Sequence, residues 1–438
     1  MTLTLSVPPR ADAPRLAGLP VAVIGAGPVG LAAAAQLLER GLDVIVYEAG
    51  ESAGAAVQQW GHTRLFSPWE YLVDAAAARL LDRAGWEAPA AEELPTGNEL
   101  VSDYLAPLAT TPVLAPLIRY GSRVLAVTRE GMDRTRSAGR ASTPFLLRVQ
   151  TSDGVTDVTA RAVVDTSGTY SSPNSLASSG LDPIGAADVA EHISHALPDV
   201  LGTDRDRFVG KRVLVVGAGH SAANTLIKLA RLAREEPGTS VTWAIRGTSP
   251  LRVYGSGDDE LEERGKLGGV VHDLVREGAI TLVDRFEIDH LEPAGDGVLV
   301  TGRRRKERAS IDADVVVNAT GFRPDLDMLR EIRLSLDEIV EAPRALATLI
   351  DPNLHSCGTV EPHGVAELAH PEPDFFIAGM KSYGRAPTFL LVTGYEQVRS
   401  IADELAGNHA AARLVQLVLP ETGVCSTGTG TAGGSCCA

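Results

Sequence analysis

One arrangement of apolar, small and polar positions is used twice along the chain. From Val21 a short β-branched run reaches Ile24, glycines follow at Gly25, Gly27 and Gly30, and an alanine- and leucine-rich run continues behind them. The pattern predicts a buried strand, a tight turn and a helix. The second copy, "KRVLVVGAGHSAANTLIKLARLA", has its strand at Val213–Val216, glycines at Gly217 and Gly219, and Ala222 in the third small position. Two more apolar runs end in small-residue turns: "ARAVVDTSGTYSSPN" at Thr166–Ser167–Gly168 and "DADVVVNATGFRPDLDML" at Ala319–Thr320–Gly321. The uncharged stretch "LAGLPVAVIGAGPVGLAAAAQLL" is long enough to span a bilayer. Its glycines cut it into strand and helix, however, which favours two elements buried inside a protein.

The turns carry chemistry. Gly25 permits the sharp exit from the strand, Gly27 leaves a pyrophosphate unobstructed, and Gly30 lets the helix pack closely. The helix start offers free N–H groups and a positive dipole end to an anion. A second strand, "DVIVYEAG", ends on Glu48, about twenty residues after the turn, where a carboxylate can accept hydrogen bonds from a ribose diol. In the second copy the corresponding strand, "SVTWAIRGTS", ends on Arg246. A guanidinium suits a ribose 2′-phosphate, which a carboxylate would repel. Two dinucleotides follow: NADPH on the second unit, with Gly217, Gly219, Ser221, Ala222 and Arg246, and a nonphosphorylated ribose, most simply that of FAD, on the first. The alternative for Arg246 is an ordinary solvated arginine at a strand end.

Composition narrows the partners. A chain of 438 residues is long for one core and favours two lobes. Its net charge of −16 disfavours nucleic acid and anionic membrane surfaces, leaving a small-molecule substrate, with a homodimer left open. The four cysteines, Cys357, Cys425, Cys436 and Cys437, make no disulfide framework and fit reduced thiols in a cytoplasmic protein. The amino end has no basic segment followed by an apolar run, so no secretion signal is expected.

The ordered set of first glycine motif, Ser-Gly turn, second glycine motif and "ATGFRPD" resembles the two-dinucleotide-binding-domain flavoproteins, and within them the class B flavin monooxygenases. The similarity runs from about Val21 to about Gly407. It implies an α/β fold of two Rossmann-like domains, with an NADPH domain (206–321) inserted in an FAD domain (1–205 and 322–420), and a flexible tail (421–438). Gly168 and Gly321 then stand at the crossings between domains. In that family a late strand commonly ends on Gly-Asp; here Gly379 fits the flavin side, but Met380 and Lys381 follow and the acid is missing. The family also shows a phenylalanine, a glycine and a histidine at fixed spacing between the glycine motifs, whereas His192 and His195 are out of register. Segments "KSYGRAPTFLL" and "GYEQVRS" resemble the flavin monooxygenases of arsenic-resistance operons.

On this resemblance the expected activity is FAD-dependent oxidation of NADPH with transfer of one oxygen atom to a small substrate. Lys381, Tyr383 and Arg385 are the candidates over the flavin ring. Trp60, Phe66 and Trp69 belong either to a segment wrapping the flavin or to the core. The tail ends Ser-Cys-Cys-Ala and resembles the carboxy terminus of mercuric reductases. Cys436 and Cys437, with Cys425 as a third ligand, suit a thiophilic ion such as a trivalent arsenical; the alternative is an incidental tail. Three other readings remain. The chain passes electrons to a metal or other acceptor without oxygen insertion; it is a non-catalytic flavin- and thiol-based metal binder; or "GAGHSAA" is a nucleophile elbow with Ser221, against which Ala223 stands where glycine is needed.

Overall fold

A computed structural model describes residues 14–248, 262–351, 362–386 and 389–417. The run Val21–Ile24 forms strand β1, with all four residues buried, and helix α1 follows over Pro28–Glu39. Proline suits the first helical position, where an N–H would have no intrahelical acceptor. The first lobe continues with β2 (Val44–Tyr47), α2 (Ala75–Arg83), β3 (Ile118–Arg119), an antiparallel meander of β4 (Arg123–Arg129), β5 (Phe145–Thr151) and β6 (Gly154–Ala160), and β7 (Ala162–Asp165). After β8 (Ile193–Ser194) the series returns: β9 (Arg212–Val216), α3 (His220–Glu235), β10 (Ser240–Ala244), α4 (Glu262–Arg276), β11 (Thr281–Val283), a second meander of β12 (Phe286–Ala294), β13 (Gly297–Arg304) and β14 (Glu307–Ala313), and β15 (Val315–Asn318). Strand β16 (Phe375–Ile377) and helix α5 (Leu391–Leu405) follow.

Each lobe centres on a parallel sheet. The orders are β16-β7-β1-β2-β3 and β8-β15-β9-β10-β11, the same arrangement twice. Registers match as well: Ile24 lies between Tyr47 and Asp165, and Val216 between Ala244 and Asn318. Both sheets are apolar on two faces, as parallel sheets covered on both sides must be. One face of the first sheet packs on α1, α2 and α5, the other on its meander. The second sheet is covered in the same way by α3 and α4 and by its meander.

The fifth strand of each sheet comes from outside the repeated segment. β16 returns from the carboxy-terminal part, whereas β8 precedes residue 206, because Ile193 and Ser194 pair in parallel with Val316 and Val317. Two crossings join the lobes, and they pair with each other. Asn174 donates its N–H to the Gly321 carbonyl at 2.9 Å, and Arg323 donates to the Ser172 carbonyl at 3.0 Å. Beside them the rings of Tyr170, His195 and Phe322 form a cluster with centroids 4.5–5.6 Å apart. The return of the chain to the first lobe is held by buried charge. Glu372, directly before β16, pairs with Arg129 and Arg140 at 2.8 Å each. Burial acts to raise its carboxyl, but hydrogen bonds from Arg140 and Arg129 prevail and hold it below the ordinary glutamate range.

Candidate functional site

The first glycine turn is built by close packing around an open mouth. Gly25 has φ 100°, and a β-carbon there would lie 3.0 Å from the Thr166 carbonyl oxygen; one on Gly30 would lie 1.9 Å from the Gly25 carbonyl oxygen. A β-carbon on Gly27 would meet nothing within 4 Å. Gly27 caps α1 without a side-chain hydrogen bond, so no side chain occupies the free amides of that helix start. Glu48 closes the far side. Its carboxylate accepts the N–H of Ala26 at 2.6 Å and of Gly50 at 2.7 Å, which fixes its orientation at the end of β2.

The second turn repeats the construction. Gly217 has φ 135°, with its missing β-carbon 2.0 Å from the Ala319 carbonyl, while Gly219 is open. Trp243, buried on β10, donates its indole N–H to the Gly217 carbonyl at 2.7 Å and fixes the turn from below. Ser221 is half-buried in the first turn of α3 and Ala222 fully buried behind it. Arg246 is exposed, two residues past the end of β10. It stands at the edge of the site rather than inside it.

Gly168 (φ 70°) and Gly321 (φ 94°) turn the chain after β7 and β15. Asp165, the last residue of β7, accepts the N–H and hydroxyl of Ser167 at 3.1 and 2.7 Å. Asn318, the last of β15, does the same for Thr320 at 3.3 and 2.7 Å. Gly379 follows β16 in the left-handed region, at φ 71°, and donates its N–H to Oε1 of Gln397 on α5 at 2.8 Å. Gln397 in turn donates to the Ser382 hydroxyl at 2.9 Å, so a buried chain of amides and hydroxyls holds the segment after β16.

The three side chains expected over the flavin ring are not gathered on one surface. Lys381 is fully buried, its Nζ 2.7 Å from Asp165 Oδ2 and 3.0 Å from Ser167 Oγ, and the Asp165 side chain is equally inaccessible. Its charge is neutralised inside the protein, which corrects the expectation that it polarises a substrate. Tyr383 is also interior. Burial pushes its phenol well above the ordinary range, and its ring packs edge-on against Phe389 at 5.0 Å. Arg385 is exposed, one guanidinium nitrogen 3.4 Å from Asn174 Oδ1 at the crossings.

Trp60 is half-buried against the first-lobe core and close to Gly97, where a β-carbon would lie 2.9 Å from its ring. Trp69 is buried in the same core. Phe66 reaches across to the other lobe, its ring 5.6 Å from that of His220 at the start of α3. Sequence reasoning missed two residues in that segment. The His62 Nε2 and Thr63 Oγ1 atoms are buried with no hydrogen-bond partner among the described residues, which suits a segment awaiting a polar ligand. Burial, and then the charge of Lys228 on α3, hold His62 below the ordinary histidine range. Its only sequence signal was its place after the first ribose acid. Cys425, Cys436 and Cys437, with Cys357, lie outside the described residues. Among the described residues no group of three or more histidine, cysteine, aspartate or glutamate side chains is arranged to hold a metal ion. No described helix is long and apolar enough to cross a membrane.

Comparison with known proteins places this geometry. The chain is 28% identical to rice (Oryza sativa subsp. japonica) indole-3-pyruvate monooxygenase YUCCA1 over 316 residues, 70% of the chain and 65% of that protein. Across the curated relatives it matches, the chain spans between 41% and 65% of their length. Its fold is similar to that of the bacillithiol disulfide reductase Bdr of Bacillus cereus, with a TM-score of 0.66, 20% identity, and 89% of this chain and 99% of that one covered. It is also similar to DfoA, the cadaverine monooxygenase of Erwinia amylovora solved with FAD, with a TM-score of 0.62, 14% identity, and 95% and 99% covered. The family model described as pyridine nucleotide-disulphide oxidoreductase matches residues 22–345, a span that holds both glycine turns, both crossings and both meanders. With that match over most of the chain, and with an oxidoreductase in place of the serine hydrolase that "GAGHSAA" allowed, the chain belongs to the pyridine nucleotide-disulphide oxidoreductase family.

Proposed function

We propose that the protein is an FAD-dependent enzyme that oxidises NADPH and transfers oxygen to a small substrate, in the manner of a flavin monooxygenase. The observation that carries this is the pair of open, uncapped glycine turns whose neighbouring strands lead to opposite charges, Glu48 in one lobe and Arg246 in the other. Gly27 and Gly219 leave space where a pyrophosphate would approach backbone amides, so the residues present fit two dinucleotides. Glu48 would accept from a ribose diol, and Arg246 would pair with a 2′-phosphate. The missing acid after Gly379 leaves backbone and the Gln397 chain to hold the middle of the first cofactor.

When bound, FAD supplies the two-electron redox chemistry and the reaction with dioxygen. The chain's own residues bind, orient and shield. The Asp165–Lys381 pair fixes the Ser167–Gly168 turn, and His62 and Thr63 present polar atoms from a buried segment between the lobes. All four cysteines stand at or beyond residue 357, so no cysteine pair lies near the first glycine turn or between the two glycine turns in the sequence, where a dithiol relay would need one. That favours oxygen insertion over disulfide reduction. Cys436 and Cys437, with Cys425, support a thiophilic substrate such as a trivalent arsenical delivered by the tail.

The test is anaerobic. Purified protein should be yellow, NADPH should bleach it under nitrogen, and air with substrate should give an oxygenated product in near-stoichiometric amount. Colourless protein with no affinity for FAD would overturn the reading. Bleaching followed by hydrogen peroxide alone, with arsenite and organic arsenicals unchanged, would replace the monooxygenase by an NADPH oxidase.

A further inference from the structure

The duplication runs one step past the paired strands, and there the lobes exchange the sizes of two residues. In the first sheet Ile377 lies opposite Asp165, and two residues on Gly379 enters the left-handed region. In the second sheet the pairing ends with Ser194 opposite Val317; counted onward by sequence alone, Leu197 is the residue that corresponds to Gly379. Leu197 has φ 59°, a conformation that glycine adopts freely and a leucine does not. A strained side chain persists where its surroundings over-determine it. The facing helix start changes in the opposite sense. A β-carbon on Gly379 would lie 3.2 Å from Cβ and Cγ2 of Val29, the second residue of α1. The second residue of α3 is Ser221, which is small. At these two positions the first lobe has glycine and valine, and the second has leucine and serine.

We propose that Leu197 packs over Ser221 and closes the second glycine turn on the side of the fifth strand, making it a positioning residue of the NADPH site. In the first lobe the corresponding position is a glycine, and α5 begins beyond it at Leu391 and brings Gly394 close to the same Val29. In the second lobe the chain after β8 passes through the short helix Arg205–Phe208 directly into β9. With Leu197 as a wall, the nicotinamide half is confined to the path back toward the first lobe. The inference rests on the assignment of the two turns to FAD and NADPH, and it adds the residue that makes the two sites unlike.

A cycle of Ser221→Val, Leu197→Gly and the double variant, in FAD-loaded full-length protein, tests it. Three quantities are read: the thermal unfolding midpoint, the Kd for NADP⁺, which binds without reducing flavin, and the rate of bleaching by NADPH under nitrogen. Ser221→Val should lower the midpoint by crowding Leu197, and adding Leu197→Gly should restore it. Leu197→Gly alone should keep the NADP⁺ Kd within roughly threefold and slow bleaching by about tenfold or more, because the reacting end is no longer held in place. Additive midpoint shifts overturn the contact, and an unchanged bleaching rate in Leu197→Gly overturns the confining role. Failure of the cofactor assignment looks different. Wild-type protein would then resist bleaching, which removes the confining role with it, while the midpoint cycle still shows coupling between positions 197 and 221.

Discussion

Asp165 and Asn318 occupy the same place in the two lobes, each the last residue of the strand beside the central one, and each accepts from the hydroxyl and N–H two residues on. Their remaining contacts differ. Asp165 is ion-paired to Lys381, with both side chains fully buried, whereas Asn318 donates its amide to the Asn174 carbonyl at 2.9 Å. The charged version ties the crossing to a segment far along the chain; the neutral version ties the two crossings to each other. A shared backbone geometry thus carries two energetic characters. A buried charge left alone is costly, while a lost amide contact costs about as much as one hydrogen bond.

Single substitutions at the two turns should therefore behave unequally. Lys381→Met leaves the Asp165 carboxylate buried and unpaired and should lower unfolding free energy by about 3–5 kcal/mol, against about 1–3 kcal/mol for Asn318→Ala, read by urea denaturation. The double variant Asp165→Asn, Lys381→Met imitates the neutral lobe and should recover most of the loss. Equal costs for Lys381→Met and Asn318→Ala would break the comparison.

Acid should sharpen it, because a buried histidine lies next to β16 in the first lobe. His370 accepts the Ser335 N–H at Nδ1, its Nε2 has no partner among the described residues, and burial lowers it to about 4. Between pH 6.5 and about 4 the unfolded chain takes up a proton that the folded one refuses. The contribution of His370 to stability should therefore be full above pH 6.5 and fall by about 3 kcal/mol toward pH 4. His370→Asn, which keeps an acceptor for Ser335, should flatten that slope in pH-dependent denaturation; an unaltered slope would remove His370 as its source. The smallest effect is expected at the strand ends, where Arg246→Ala should weaken NADPH roughly tenfold more than NADH in equilibrium binding, the value of one charge-assisted contact. Equal changes for the two nucleotides would remove the phosphate argument.

The repeated frame was legible because it is local. Strand, glycines and helix fall within one short stretch at Val21–Glu39 and again at Arg212–Glu235, and Glu48 and Arg246 follow one and two residues past the ends of β2 and β10. Small-residue turns after β7 and β15 carried the same kind of signal. What sequence could not give was pairing between distant segments. Lys381 reads as a polar residue after an apolar strand, and only the register of β16 against β7 turns it inward onto Asp165. Tyr383 is hidden for the same reason. Likewise, nothing near Ile193–Ser194 marks a strand of the second sheet, since two residues are too few for a periodic pattern.

The origin of the two fifth strands has a consequence for biosynthesis. As the chain leaves the ribosome, the inserted lobe holds every strand of its sheet once Asn318 has emerged, β8 having been made in advance. The first lobe must wait for Phe375–Ile377, and until then β7, buried along its whole length in the finished fold, presents an open edge. An exposed edge of this kind invites pairing with other chains. The nascent protein is thus most vulnerable while its second lobe is already finished, and a ribosome stalled short of residue 375 would hold it in that half-closed condition.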